Sequence, residues 1–195
     1  MPADDSVRAR LIDAAEEVMR RHGPLNVRID EVARLAGCSR ATVYRHVADK
    51  DELVREVLAR LARARAEEMA PALAGIEDPA ERIAEGILRT LDAVRSEWWY
   101  RALARRDATA AVARLGGGPR AFVALTEPLV GPFVARLAAE GRLRAGVTVA
   151  DATEWLCVVT TGLLAAEGAE PDGRPRDAQR AFLRRFVADP LLRRR

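Results

Sequence analysis

Hydrophobic positions recur at helical spacing through the first part of the chain. Apolar residues of the first segment repeat every three or four positions, with charged residues between them: Val7, Leu11, Ala14, Ala15, Val18 and Met19. This period is typical of an amphipathic helix, which we expect to end near the sequence His-Gly-Pro at 22–24. Four apolar residues of the next stretch can face that helix: Ile29, Val32, Ala33 and Leu35. The pattern predicts two packed helices.

A tight turn and a very short helix follow. Gly37 can adopt the left-handed conformation that ends a helix, and Ser39 can accept hydrogen bonds from the backbone that opens the next one. The segment after it is too short to bury much of itself, yet it carries several polar side chains: Arg40, Thr42, Tyr44, Arg45 and His46. These features predict a helix-turn-helix whose second helix contacts something outside the protein.

Two capping boxes predict the next helices. Asp49 and Glu52 should open a long fourth helix that runs to about Met69, where Ala70-Pro71 begins a break. Asp78 and Glu81, with proline between them at the first helical position, should open a fifth helix.

The remaining pattern is also helical. We expect a sixth helix over 98–115 and a seventh from Pro119 to Gly141, kinked or divided at Pro128 and at Gly131-Pro132. Thr148 and Asp151 can cap an eighth helix, which is apolar nearly all round from 155 to 166 and should be buried. A ninth helix ends at Asp189-Pro190. No segment has the pattern of a strand, so the predicted fold is all-α, with about nine helices.

Composition narrows the class of protein. The chain has 195 residues, 49% of them hydrophobic, and a net charge of only +3. All but one of its 32 basic residues are arginine, the exception being Lys50, so the abundance of arginine indicates little by itself. The polar start lacks the pattern of a signal peptide, and the longest apolar stretch is well short of the ~18 residues of a membrane span. We expect a cytoplasmic protein that does not enter a membrane.

Candidate catalytic residues are scarce. The two histidines, His22 and His46, both lie in the N-terminal segment, so no Ser/His/Asp set can be built in the later helices. The two cysteines, Cys38 and Cys157, form no ligand pattern, and no glycine motif follows a predicted strand. We expect neither an enzyme nor a bound metal or cofactor.

The run GCSRATVYRHVADKDEL, together with the three-helix segment before it, resembles the TetR family of bacterial transcriptional regulators. The resemblance covers roughly Ser6 to Leu58. It implies a DNA-binding domain at 1–50 and a helical effector-binding and dimerisation domain at 51–195. It further implies a regulator, most often a repressor, that binds a palindromic operator as a homodimer and is released by a small molecule. The alternative is a helical ligand-binding or interaction protein whose head no longer binds DNA.

The resemblance also assigns roles to single residues. Tyr44, His46 and Lys50 match positions that usually contact phosphates, and each can donate a hydrogen bond to a phosphate oxygen. The other DNA-binding candidates lie on or beside the reading helix or at the start of the second helix: Arg28, Ser39, Arg40, Thr42 and Arg45. Of these, Arg40, Thr42 and Arg45 are candidates for base edges. Arg28 replaces a threonine that usually caps the second helix, and Val47 replaces a usual phenylalanine.

The later helices contain the residues that we expect to bind the effector and to form the dimer. Four residues are candidate ligand contacts: Trp98, Phe122, Thr126 and Trp155. Each aromatic residue could instead belong to the core, and Arg101 with Arg105 leaves an anionic ligand open. The dimer should form through the eighth and ninth helices, where Gly162, Ala165 and Ala166 permit close approach.

Overall fold

Helices make up almost all of the described chain. The computed structural model describes residues 2–101, 119–167 and 173–193. Its helices are α1 (Pro2–His22), α2 (Ile29–Leu35), α3 (Arg40–His46), α4 (Lys50–Ala74), α5 (Pro79–Ser96), α6 (98–101, as far as it is described), α7 (Pro119–Ala139), α8 (Val149–Glu167) and α9 (Arg176–Leu183). In these ranges extended pairing is limited to one isolated bridge, between Leu143 and Leu192. The all-α prediction is confirmed.

The first three helices form a small head around one apolar core. α1 packs against α2 and α4, and α2 packs against α3. The core residues that these helices share are fully or almost fully buried: Leu11, Val18, Met19, Val32, Val43, Leu53 and Val57. Leu35, which we expected to face α1, is 36% exposed, whereas Ala36 beside it is buried. Leu35 is the last residue of α2, directly before the turn that contains Gly37.

α4 connects the head to the body and is longer than predicted. It begins at the Asp49 cap, whose carboxylate accepts from the backbone N–H of Glu52 at 2.6 Å. The predicted break at Ala70-Pro71 is wrong, since the helix runs through Pro71 to Ala74. A proline removes only one backbone hydrogen bond and its φ is helical. The last turn also packs beside α5, where Leu73 lies against Gly86, and this contact retains it.

The body consists of α5 to α9. Asp78 caps α5 as predicted and accepts from the N–H groups of Ala80 and Glu81 at 2.8 and 3.1 Å. α7 runs undivided through its internal prolines, and it packs against α4 and α8. Thr148 and Asp151 form the predicted cap of α8. Of the predicted sixth helix, 102–115 lie outside the described residues.

Ion pairs hold α9 and the turn that follows it against α5. Arg180 contacts Glu81 and Glu85, each at 3.0 Å, and Arg184 contacts Asp78 at 3.1 Å. Glu85 is buried, and it also accepts from Arg89 at 2.7 Å. Burial raises the pKa of Glu85, but the hydrogen bonds from Arg89 and Arg180 outweigh this effect, so its pKa lies below the ordinary value. Arg180 and Arg184 therefore form ion pairs within the fold.

α8 and α9 each leave large apolar side chains in contact with solvent. Trp155 is 42% exposed and Val158 is 48% exposed, although we predicted a buried helix. Phe182 of α9 and Phe186 of its continuation are exposed and pack on each other with ring centroids 5.0 Å apart. The remaining faces of α8 pack against α5 and α7. Among the described residues, no helix is long and apolar enough to span a bilayer.

Candidate nucleic-acid interface

The turn before α3 has the geometry that its sequence predicts. Gly37 has φ of +65°, the left-handed conformation that glycine adopts without strain. The Ser39 hydroxyl accepts from the backbone N–H of Thr42 at 3.1 Å and lies 3.0 Å from the Thr42 hydroxyl. Only Val43 of α3 is buried. The helix is therefore anchored by one apolar side chain and one cap, and its other residues are exposed or partly buried.

Arg40, the first residue of α3, is held by neighbouring side chains. Its Nη1 donates to the two carboxylate oxygens of Asp30 at 2.9 and 3.3 Å, and its Nη2 donates to the Tyr44 hydroxyl at 3.5 Å. The guanidinium also lies over the Tyr44 ring, 5.6 Å from its centroid. Tyr44 and then Asp30 raise the pKa of Arg40 above its ordinary value, so the side chain stays charged.

The other candidate DNA-binding residues differ in their exposure and in their hydrogen bonds. Arg45 is exposed, and among the described residues no hydrogen bond or ion pair holds its guanidinium. Tyr44 is 45% exposed, whereas Thr42 is partly buried beside Ser39. Arg28 is exposed at the start of α2 and makes no capping hydrogen bond, as expected for the residue that replaces threonine.

His46 and Lys50 lie at the joint between α3 and α4. The Lys50 ammonium donates to the backbone oxygen of Leu25 at 3.4 Å, so it also holds the turn after α1. The backbone oxygen of His46 accepts from Arg8 at 2.7 Å, and Arg8 also pairs with Glu56 of α4. Sequence reasoning missed Arg8 and Asp30, because contacts across thirty or more positions, or across a turn, leave no periodic signal.

A second candidate site is a cavity of about 480 Å³ in the body. It lies between α4, α5, α7 and α8, and most of its lining is apolar, including Met69, Leu73 and Ile87. Charged side chains also line it: Arg63, Glu67, Arg82 and Arg136. Of these, Arg82 is almost buried, and it donates to the backbone oxygen of Ile76 at 2.7 Å. The size and lining are those of a site for a small, largely apolar molecule.

Two of the four predicted ligand contacts, Trp98 and Trp155, do not line this cavity. Trp155 is exposed and donates from its indole nitrogen to the backbone oxygen of Val187 at 3.2 Å. Trp98 borders a different hollow, at the junction of α1 and α4, where Arg20 lies over its ring at 5.4 Å. The side chains of Phe122 and Thr126 lie outside the described residues. A role of these four residues in ligand binding stays a prediction.

Comparison with known proteins identifies the head. Residues 11–57 match the family described as bacterial regulatory proteins, tetR family. An uncharacterized HTH-type transcriptional regulator of Mycobacterium tuberculosis is 36% identical over 86 residues, which are 44% of this chain and 43% of that protein. The regulator SrpR of Pseudomonas putida is 37% identical over 92 residues, 47% of this chain and 41% of SrpR. Each match thus spans less than half the length of the relative.

Solved structures show the same fold over nearly the whole chain. The transcriptional repressor QsdR of R. erythropolis, from the TetR family, superposes with a TM-score of 0.71 at 21% identity, covering 98% of both chains. RolR, solved with resorcinol, superposes with a TM-score of 0.65 at 19% identity, covering 95% of this chain and 89% of that one. The head, over residues 11–57, thus matches the bacterial regulatory proteins of the tetR family in sequence, and the chain as a whole has the fold of solved TetR-family regulators.

Proposed function

We propose that the protein is a transcriptional repressor that binds a palindromic operator as a homodimer and leaves it when a small apolar molecule enters the body cavity. Residues 1–50 are the DNA-binding domain in this proposal, and 51–195 bind the effector and form the dimer. The reading surface consists of the eight candidates on and around α3: Arg28, Ser39, Arg40, Thr42, Tyr44, Arg45, His46 and Lys50.

The observation that carries the proposal is the position of α4. Its first half packs on α1, where Arg60 contacts Asp13 and Glu16, each at 2.5 Å. Its second half lines the cavity from Arg63 to Ala74. A molecule that displaces the second half therefore acts on a rigid helix whose other end holds the head. The ligand shifts the equilibrium only as far as its affinities for the two head positions differ.

The dimer rests on the exposed apolar face of α8 and α9. Four large apolar side chains are exposed on α8, α9 and the continuation of α9: Trp155, Val158, Phe182 and Phe186. An exposed apolar patch is typical of a protein–protein contact. One α3 contacts only a few base pairs, and two heads can enter successive major grooves when a two-fold axis holds them ~34–36 Å apart. A self-complementary face on the body supplies that axis.

The test is footprinting on DNA upstream of the protein's own gene, followed by titration with small molecules. We expect two protected half-sites one helical turn or a multiple of it apart, and release by one or more apolar probes. The probe set begins with resorcinol, with which RolR was solved, and extends to larger aromatic and aliphatic compounds.

Gly86→Leu sharpens the test of the cavity. Gly86 lines the cavity, and a Cβ added there lies 3.6 Å from Leu73, an ordinary contact distance, so we expect the leucine to extend into the cavity. The variant should keep the footprint and lose the release. Ala93→Leu adds the same side chain to α5 at a position that does not line the cavity, and it should respond as the unaltered protein does. If no probe releases the operator from either the unaltered protein or Ala93→Leu, the effector is removed from the proposal.

A further inference from the structure

We propose that Asp30 is a specificity-determining residue of the reading helix, which holds the Arg40 guanidinium for a base edge and keeps it away from phosphates. Asp30 makes no predicted contact with DNA and lies on α2, ten positions before Arg40. The inference rests on the proposed function, because it assigns a role within the proposed DNA interface.

The geometry restrains Arg40 on three sides. Asp30 accepts from Nη1, the Tyr44 hydroxyl accepts from Nη2, and the guanidinium carbon lies over the Tyr44 ring, 5.6 Å from its centroid. On the edge formed by Nε and Nη2, Nε and the second hydrogen of Nη2 have no partner among the described residues and are left for an acceptor. Guanine offers O6 and N7 to such an edge in the major groove, and a forked contact of this kind discriminates between base pairs. An orientation fixed before binding reduces the entropy that the contact costs.

The charges explain why a carboxylate is useful at this position. Both partners lie on the surface, with side chains 74% exposed for Asp30 and 59% exposed for Arg40. An exposed pair of this kind adds little to folding stability. Its effect on DNA is larger, because an unpaired arginine contacts any phosphate, whereas the pair has no net charge. Contacts with phosphates raise affinity for every sequence alike, and contacts with base edges do not. Asp30 therefore lowers non-specific affinity and leaves the specific contact available.

Asp30→Asn tests this assignment. The variant keeps the size of the side chain and removes its charge, so Arg40 becomes free to contact phosphates. Fluorescence anisotropy should show that non-specific DNA is bound about three- to tenfold more tightly, with the salt dependence steeper by about one phosphate contact per head. Discrimination between the operator and an operator with one altered G·C pair should fall by about tenfold.

Two controls separate the role of Asp30 from general effects of charge. Glu17→Gln removes one carboxylate from the same head at an exposed pair with Arg21 on α1, and it should leave discrimination unchanged. In an Arg40→Ala background, Asp30→Asn should have no further effect on discrimination, because the two residues act through one contact. Thermal unfolding of each variant should match that of the unaltered protein.

Three results would overturn the inference. Asp30→Asn could leave discrimination unchanged, or it could weaken operator and non-specific DNA equally, as a structural residue would. It could also lose operator affinity without gaining non-specific affinity, which would show that Asp30 itself accepts from a cytosine amino group. If the unaltered protein binds no DNA, the proposed function fails with the inference, and this outcome is distinct from the other three.

Discussion

Arginine has different roles in the head and in the body. On the reading surface, Arg45 is exposed and, in the described part of the chain, has no hydrogen-bonding or ion-pair partner, and Arg40 is held by one carboxylate. Between α5 and α9, Arg180 and Arg184 each contact two carboxylates of α5 or its cap. In a chain with almost no lysine, the number of arginines therefore does not locate the DNA-binding surface. Within the head, an exposed arginine without a partner among the described residues, such as Arg45, is the candidate for a contact outside the protein.

The largest expected effect comes from placing an arginine where the body presents an apolar face. Gly162 is exposed on α8, and apart from its chain neighbours and the backbone of its own helix, no described atom lies within 4 Å of an added Cβ. Gly162→Arg should therefore fold as a single chain and fail to dimerise, lowering operator affinity by more than about 100-fold since one head contacts only half the site. Sedimentation and anisotropy measure the two effects.

Gly173→Arg is the matched control for that prediction. Gly173 is also exposed with open space around it, but it lies in the loop before α9. This variant should remain a dimer with unchanged operator affinity. A Gly162→Arg variant that sediments as a dimer would place the interface elsewhere.

Removal of the free arginine should affect DNA binding alone. Arg45→Ala should cost about 1–3 kcal/mol of operator binding and relax the preference at one base pair, because alanine cannot bind a base edge. Its melting temperature should not change, since Arg45 has no partner within the described fold. Exposed Arg144 of the body is the control, and Arg144→Ala should alter neither quantity. A loss of stability in Arg45→Ala would contradict the division between free and paired arginines.

Removal of a paired arginine should have the opposite result. Arg180→Ala takes one partner from the buried Glu85 and should lower the free energy of unfolding by about 1–2 kcal/mol, with DNA contacts intact. Denaturant unfolding at pH 7 measures the loss. Equal stability of the variant would show that the contact between α5 and α9 is held by apolar packing alone.

The same contact predicts a dependence on pH. The pKa of Glu85 is lowered in the folded state, so its contribution is complete above its unfolded value of about 4.3 and is lost as the pH falls through the folded value. Glu85→Gln should therefore be less stable than the unaltered protein at pH 7, and the difference should shrink in acid. A constant difference from pH 7 to pH 3 would contradict the role of the ionised carboxylate.

The smallest effect is expected for Lys50. Lys50→Ala should reduce the salt dependence of operator binding by about one unit for each phosphate that the ammonium neutralises. A small loss of head stability should accompany it, because Lys50 also donates to Leu25. Comparison of slopes over a range of salt concentrations checks this, and an unchanged slope would assign the lysine to the fold alone.

The features that sequence predicted well depend on neighbouring residues. The caps at Ser39, Asp49 and Asp78 and the left-handed glycine at 37 involve contacts over two to five positions, and all four are present. The break at Pro71 was wrong because packing beside α5 outweighs the local effect of proline.

The parts of the site that sequence could not locate depend on packing between distant segments. The cavity is lined by residues from four helices, and nothing in the pattern around Met69 or Ile87 distinguishes a cavity from a filled core. The residues around Trp155 are apolar, as in a buried helix. Whether Trp155 itself is exposed depends on which other helices cover α8. Likewise, the restraint of Arg40 by Asp30 depends on the angle between α2 and α3.

Salt-dependent binding to DNA tests the central claim most directly. Labelled DNA from upstream of the protein's own gene is titrated at 50 and 200 mM salt, beside a scrambled fragment of equal length. With Arg28 and Lys50 of both heads on phosphates, affinity should fall by about 100-fold over this range, and the upstream fragment should be preferred at both concentrations. Equal, weak binding to both fragments, or no binding at 50 mM, would contradict the account and favour a ligand-binding protein with an inactive head.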